Sequence, residues 1–113
     1  MKLELKKLDN DILLVSLMGR LDLKGTLGID DEFRSHVAAS KQNTIVDMGK
    51  VHFLASIGMR MLLSNAKALQ QRKKQMVLVN PQPMVKDALK MSGIFQLIPV
   101  FDTVNEAIAT FEK

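Results

Sequence analysis

Apolar and polar residues alternate at the start of the chain, and apolar residues recur at helical spacing through most of the rest. The alternating run at 2–8 predicts a half-buried strand, whose lysines would discourage pairing at a sheet edge. The more apolar run at 12–18 follows the turn cluster at 9–11 and predicts a second, more buried strand. The two runs therefore predict a β-hairpin.

After the hairpin, helical and strand-like patterns alternate along the chain. The elements predicted there are a helix at about 27–39, a strand at 44–48, a helix that follows Ser56 and ends near 72–74, a strand at 75–80, a helix from 81 that Gly93 closes, a strand at 94–101 and a helix through Phe111. The order β-β-α-β-α-β-α-β-α requires crossovers, which predicts an α/β fold with a mixed, mainly parallel central sheet packed with helices. We expect residues 1–113 to form a single domain.

Helical spacing also assigns side chains to the buried faces of the helices. Leu27 is predicted to contribute to the apolar side of the first helix, and Met84 and Met91 to that of the third. Asp102 or Thr103 is expected to cap the last helix, because either side chain can accept from free backbone N–H groups in a first turn.

The junction between the strand at 44–48 and the next helix is the most informative stretch. Gly49 and Lys50 are predicted to break the strand, which would place His52 in a loop. Ser56 comes just before the helical run of apolar residues, where a helix favours an N-cap hydroxyl. Two interpretations follow: Ser56 is a cap, or it is a hydroxyl presented at the positive end of a helix.

Composition narrows the function classes. The chain has no Cys, which excludes disulfides and thiolate metal sites. Its net charge is +4. It has no Trp or Tyr to stack on bases, and its dense basic run at 72–74 falls at a predicted helix end, so nucleic-acid binding is not expected. No apolar run approaches the roughly 20 residues that span a bilayer. We expect a soluble, cytoplasmic protein that does not bind membranes.

The residues needed for enzyme chemistry are also missing. His36 and His52 are the only histidines, and no metal-binding spacing connects them. No Gly-rich phosphate loop is present, so no cofactor is expected. His52 precedes Ser56 by four residues, but a catalytic base also needs an orienting partner and an oxyanion hole. The sequence therefore predicts a protein that is not an enzyme.

Three segments carry a family resemblance. Residues 19–22 read G-R-L-D after the second strand; residues 45–59 combine an apolar strand, a loop and A-S-I-G-M; and residues 81–95 read P-x-P-x-V-K-x-x-L-x-x-S-G-I-F. The three segments occur in the order in which the STAS domain family has similar motifs, and they most resemble the free-standing anti-sigma factor antagonists of that family. The element order is similar to the STAS fold from end to end. At two motif positions the chain differs, with Ala55 in place of Asp and Ile57 in place of a second hydroxyl residue.

The resemblance implies a partner-switching role in the regulation of bacterial transcription. Ser56 corresponds to the serine that an anti-sigma factor, itself a serine-protein kinase, phosphorylates. The unphosphorylated domain binds the kinase, the phosphorylated one releases it, and a metal-dependent Ser/Thr phosphatase resets the switch. The partner-binding residues that it implies are Asp22, Ala55, Ser56, Ile57, Gly58, Met59 and Arg60.

Alternatives remain open for these residues. Asp22 is either a loop residue that bonds its own backbone or a neighbour of Ser56 at the end of an adjacent strand. Arg60 is expected to point outward, either to a partner carboxylate or to solvent. The whole chain could also be an unregulated STAS module that binds a small ligand or a protein complex, with Ser56 only a helix cap.

Overall fold

The computed structural model describes residues 1–112, which form five strands and four helices in the order that the sequence predicts. The strands are β1 (Lys2–Leu8), β2 (Ile12–Leu21), β3 (Asn43–Leu54), β4 (Met76–Val79) and β5 (Val100–Phe101). The helices are α1 (Leu23–His36), α2 (Ser56–Gln71), α3 (Pro83–Met91) and α4 (Val104–Phe111).

The five strands lie in one sheet in the order β1-β2-β3-β4-β5. β1 pairs antiparallel with β2 through a tight turn in which Asn10 and Asp11 have φ of 64° and 60°, a conformation that Asn and Asp tolerate. The other neighbouring strands are parallel. The predicted mixed, mainly parallel sheet and the β1–β2 hairpin are therefore confirmed.

The helices divide unequally between the two faces of the sheet. α1, α2 and α3 cover one face, where buried side chains such as Phe33, Leu62 and Leu89 pack on the strands. α4 covers part of the other face, where Ala107 packs in a smaller buried cluster with Ile45. Thr103 caps α4 by accepting from the backbone N–H of Glu106 at 3.1 Å.

The longest strand differs from its prediction. β3 does not break at Gly49 but continues to Leu54, so His52 lies on a strand and not in a loop. Its pairing with β2 shifts register twice, which inserts extra residues into β3 as bulges. Asp47 accepts from the backbone N–H of Gly49 at 2.9 Å and supports the first irregularity. Pairing with β2 resumes at Lys50, so the strand continues past Gly49.

Two further predictions are wrong in detail. The segment at 94–101 is mostly a short 3-10 turn and an irregular connection, with only two residues in β5. Leu27, Met84 and Met91 are 64%, 70% and 88% exposed and do not line buried helix faces. Gly93, with φ of 81°, does end the third helix as predicted.

No helix within residues 1–112 is long and apolar enough to cross a membrane.

Candidate functional site

The carboxyl ends of β2 and β3 bring two helix starts together. Leu21 pairs with Leu54 at the end of the parallel ladder, and the backbone N–H of Ala55 donates to the carbonyl oxygen of Leu21 at 2.9 Å. α1 begins two residues after Leu21, and α2 begins directly after Ala55. The Asp22 and Ser56 segments therefore lie at the same edge of the sheet, as the family resemblance implies.

Asp22 is the N-cap of α1. Its backbone is extended, and its Oδ1 accepts from the backbone N–H of Gly25 at 2.8 Å. This hydrogen bond is the main reason that the pKa of Asp22 is lowered from its ordinary value, and a smaller contribution comes from Arg20. The interpretation of Asp22 as a residue that bonds its own local backbone is confirmed, and the chain at Asp22 ends at the same edge of the sheet as the start of α2. The cap also explains why α1 starts at Leu23, earlier than the predicted 27.

Arg20 connects this cap to β3. Its Nε lies 3.4 Å from Oδ2 of Asp22, and its guanidinium carbon lies 4.5 Å from the centre of the Phe53 ring. Such a cation–π contact favours one position of an exposed arginine. The hydrogen bond and the ring contact together hold the Arg20 cation beside the Asp22 carboxylate.

Ser56 is the first residue of α2 and does not cap it. The N-cap is Ala55, whose backbone is extended and whose carbonyl oxygen accepts from the N–H of Met59 at 3.1 Å. Alanine has no side-chain acceptor, so the helix start lacks a side-chain cap. The prediction that Ser56 is a cap is therefore wrong, whereas its predicted exposure to solvent is confirmed.

The start of α2 is electropositive. The first turns of a helix carry backbone N–H groups without intrahelical partners, together with the positive end of the dipole. The first turn of α2 contains no acidic residue. Arg60, in the next turn, is exposed and forms no ion pair within residues 1–112. A negative group attached to Ser56 would thus enter favourable surroundings.

Gly58 allows the first turn of α2 to sit directly on the end of β2. A Cβ placed on this buried glycine would lie 2.8 Å from Cβ of Leu21 and 3.1 Å from its carbonyl oxygen. No larger residue fits without moving the backbone. Gly58 is therefore a packing residue that positions Ser56.

Two shallow grooves flank the start of α2. The first, about 270 Å³, lies between α2 and the segment after α3, with Met59, Arg60 and Ile94 in its lining. The second, about 240 Å³, lies between α1 and α2, with Leu27 and Ile57 in its lining. Ile57 and Met59 are half-buried. They contribute to the groove walls more than to an exposed patch.

The large exposed apolar residues near the site are on α1. Leu23 and Leu27 are 62% and 64% exposed and lie four positions apart, hence on one face of the helix. The sequence predicts Leu27 on the buried side of the first helix and leaves Leu23 in the linker before it, because the predicted helix starts at about 27. An Asp directly after a strand is an N-cap signal that could have located the true start, although Gly25 and Gly28 weaken the helical pattern that follows it.

The remaining candidate chemistry lies elsewhere. Nδ1 of His52 lies 3.4 Å from Nε2 of Gln82, the residue just before α3, so the imidazole ring contacts the start of that helix. Within residues 1–112, no group of three or more His, Asp or Glu side chains could hold a metal ion. The arrangement around Ser56 is suited to binding and to covalent modification.

Comparison with known proteins identifies the family of this chain. The model of the STAS domain family matches residues 3–107. A Bordetella bronchiseptica protein, BtrV, which is assigned as an anti-sigma factor antagonist, is 28% identical over 112 residues, covering 99% of this chain and 96% of its own length.

Solved structures of the Bacillus anti-sigma factor antagonist SpoIIAA have the same fold. The unphosphorylated form superimposes with a TM-score of 0.80 at 20% identity, covering 98% of this chain and 96% of that one. The phosphorylated form gives a TM-score of 0.71 at 20% identity, covering 97% and 99%. At this identity the likeness establishes the fold alone.

Proposed function

Because the chain belongs to the STAS domain family, we propose that it is an anti-sigma factor antagonist that works by partner switching in the bacterial cytoplasm. In this proposal, residues 1–113 act as one STAS domain. The domain binds an anti-sigma factor with serine-kinase activity while Ser56 is unmodified. Phosphorylation of Ser56 releases that partner, and a metal-dependent Ser/Thr phosphatase restores binding.

The observation that carries the proposal is the state of the Ser56 hydroxyl. It is exposed on the first residue of α2, and Ala55, not Ser56, occupies the capping position. A serine that capped the helix would lose a stabilising hydrogen bond on modification. Ser56 has no such bond to lose, so a kinase could modify it without unfolding the helix start.

The electrostatics of α2 favour a phosphate on Ser56 in the free domain. A phosphoserine carries about −1.5 to −2 charges at neutral pH. The helix dipole, the free first-turn N–H groups and the unpaired Arg60 within the described chain would each stabilise it. The fold should therefore tolerate the modification.

The same phosphate would oppose binding to a partner. Partner-binding residues in the proposal are Asp22, Ala55, Ser56, Ile57, Met59 and Arg60, and the buried Gly58 acts there only by positioning Ser56. A doubly charged group at the centre of that surface would have to shed its water on association. A loss of roughly 3–4 kcal/mol would weaken binding several hundred-fold, which is sufficient for a switch.

The test compares two variants with the wild type. Ser56→Ala should bind the anti-sigma factor of the host with wild-type affinity and accept no phosphate. Ser56→Asp should bind more weakly, although it carries only one charge and a shorter side chain than phosphoserine. Calorimetric titration measures the affinities, and mass spectrometry of protein isolated from its host detects phosphate on Ser56.

A matched control tests whether weaker binding depends on where the negative charge is placed. Ser35→Asp adds the same charge at an exposed serine near the opposite end of α1, and it should leave the affinity unchanged. If Ser56→Asp and Ser35→Asp both bind as tightly as the wild type, and the kinase places no phosphate on Ser56, the switch proposal fails. The chain would then be an unregulated STAS binding module.

A further inference from the structure

The strand β1 forms a free edge of the sheet. It is the first strand in the sheet order and pairs with β2 alone. Within residues 1–112, the backbone of β1 forms no backbone hydrogen bond outside its ladder with β2. Five of its seven residues are exposed, and among them Leu5 is a large apolar residue that is 40% exposed. An edge strand with unpaired N–H and C=O groups is able to pair with another chain.

We propose that the β1 edge binds the β1 edge of a second copy of this chain, antiparallel, with Leu5 opposite its own copy. The two sheets would then form one continuous sheet, and the two chains would be related by a twofold axis through the Leu5 pair. The observation that selects this partner and this register is the order of charges along β1. None of the proposed partner-binding residues around Ser56 lies on β1, so the inference does not depend on the proposed function.

The two faces of β1 carry different side chains. The odd-numbered residues from 3 to 7 stand opposite residues of β2 that belong to the larger buried cluster, so they lie on the face that α1 covers. Lys2, Glu4 and Lys6 lie on the other face, since successive side chains of a strand alternate. Residues that are directly opposite in an antiparallel pair share a face of the sheet. A symmetric pairing of two β1 strands must therefore be centred on one residue.

Three such pairings join at least five of the seven residues of β1. If Glu4 is at the centre, it stands opposite its own copy, and Lys2 stands opposite Lys6. If Lys6 is at the centre, it stands opposite its own copy. If Leu5 is at the centre, all seven residues pair, and Glu4 stands opposite Lys6 at two symmetric places. Like charges directly opposite are destabilising and opposite charges are stabilising, so only the pairing centred on Leu5 is favoured.

The lysines of β1 thus oppose the other two pairings and leave one. Within residues 1–112, neither Glu4 nor Lys6 forms an ion pair, so both charges are available to a second copy. On the other face, the two copies of Leu5 would meet, and Leu3 would lie opposite Lys7, whose methylene groups can cover it. Two paired strands bury less than the roughly 1,600 Å² of a standard interface, so we expect a weak dimer with a Kd of roughly 0.1–1 mM.

The first experiment reverses charges and measures self-association by sedimentation equilibrium across that range of concentration. Glu4→Lys and Lys6→Glu should each weaken the dimer by about tenfold or more, because each places like charges opposite one another at both sites. An equimolar mixture of the two variants should associate again, since a basic strand then faces an acidic one. Lys67→Glu is the control, because it reverses a charge at an exposed position of α2, and it should leave the dimer unchanged. A wild type that stays monomeric, or a mixture that does not associate, would overturn the proposal.

The second experiment tests the register with a single cysteine, since the chain has none of its own. Leu5→Cys should give a disulfide-linked dimer on air oxidation, because opposite Cα atoms in an antiparallel pair lie about 4.5–5.5 Å apart, within disulfide range. Lys7→Cys is the matched control at another exposed position of β1. In the proposed register its copy lies four positions further along the strand, roughly 13 Å away, which is too far for a disulfide. Equal yields of linked dimer from the two variants would overturn the register.

A third measurement distinguishes a second copy from another occupant of the edge. The backbone amide signals of β1 in the NMR spectrum of ¹⁵N-labelled protein should shift on dilution, because the dimer dissociates. If they are unchanged on dilution but shift when the anti-sigma factor is added, the edge binds that partner by strand addition and the self-pairing is wrong. That result would leave the proposed role of Ser56 untouched, so failure of the two proposals can be told apart.

Discussion

The backbone hydrogen bond from Ala55 to Leu21, 2.9 Å long, lies between the starts of two helices. On one side of it, Asp22 caps α1; on the other, Ala55 leaves α2 without a side-chain cap. One helix start is thus neutralised by its own carboxylate, whereas its neighbour keeps an open positive end next to an exposed serine. This difference is the structural basis of the proposed function.

Gly58→Ala should destabilise the fold by about 1–3 kcal/mol, because the new methyl group would overlap Leu21. The measurement is the free energy of unfolding in urea. Gly28→Ala is the matched control, since this glycine also lies in a helix and nothing lies within 4 Å of an added Cβ. It should stabilise by up to about 1 kcal/mol through helix propensity. Equal effects of the two substitutions would contradict the close packing at Gly58.

Ala55→Asp should stabilise the protein by about 1 kcal/mol, because it supplies the missing cap of α2. Ser56→Ala should change stability by less than about 0.5 kcal/mol, since the Ser56 side chain is exposed and does not cap. Thermal melts of both variants against the wild type provide the measurement. A loss of about 1 kcal/mol in Ser56→Ala would show that the serine is the cap after all.

Asp22 should make stability depend on pH. Its pKa in the folded protein is lowered, chiefly by the N–H of Gly25, so its contribution is fully present above the unfolded pKa of about 3.9. The contribution is lost as the pH falls through the lower folded-state pKa. Asp22→Asn keeps a capping oxygen but removes the charge, and its deficit in unfolding free energy should shrink as the solution is acidified below about pH 4. A deficit that stays constant on acidification would argue against this.

Arg20→Gln should raise the pKa of the Asp22 carboxyl group part of the way toward its ordinary value. Arg20 contributes to the lowering through its hydrogen bond and charge, but the larger contribution from Gly25 would remain. NMR titration of the Asp22 carboxyl carbon measures the shift directly. A complete return to the ordinary value would mean that the Gly25 hydrogen bond has little effect.

Leu27→Ala should weaken binding to the anti-sigma factor by fivefold or more, about 1 kcal/mol, because the exposed Leu27 lines the same groove as Ile57 of the proposed partner surface. Its fold should be unaffected, because the side chain is 64% exposed. Met84→Ala is the control, since Met84 is 70% exposed on α3 and lines neither groove. Equal affinities of the two variants would show that Leu27 does not contact the partner.

Much of the fold was predictable from sequence because it depends on local periodicity. The order of strands and helices, the hairpin at 2–18, a cap of the last helix at Asp102 or Thr103 and the end of α3 at Gly93 all follow from side-chain spacing and turn chemistry. The family and the importance of Ser56 as a candidate came from motifs in register. These features need no knowledge of which elements pack together.

Only the tertiary structure decided the rest. β3 continues past Gly49 because pairing with β2 absorbs the extra residues as bulges, and pairing between distant segments has no local signal. Ser56 is the first helical residue and not the cap, because β3 runs to Leu54 and the Ala55–Leu21 bond sets where α2 begins. The burial of Thr26 and Asn65, which are 2% and 3% exposed, also depends on the packing of α1 against α2, since both residues lie where the two helices meet.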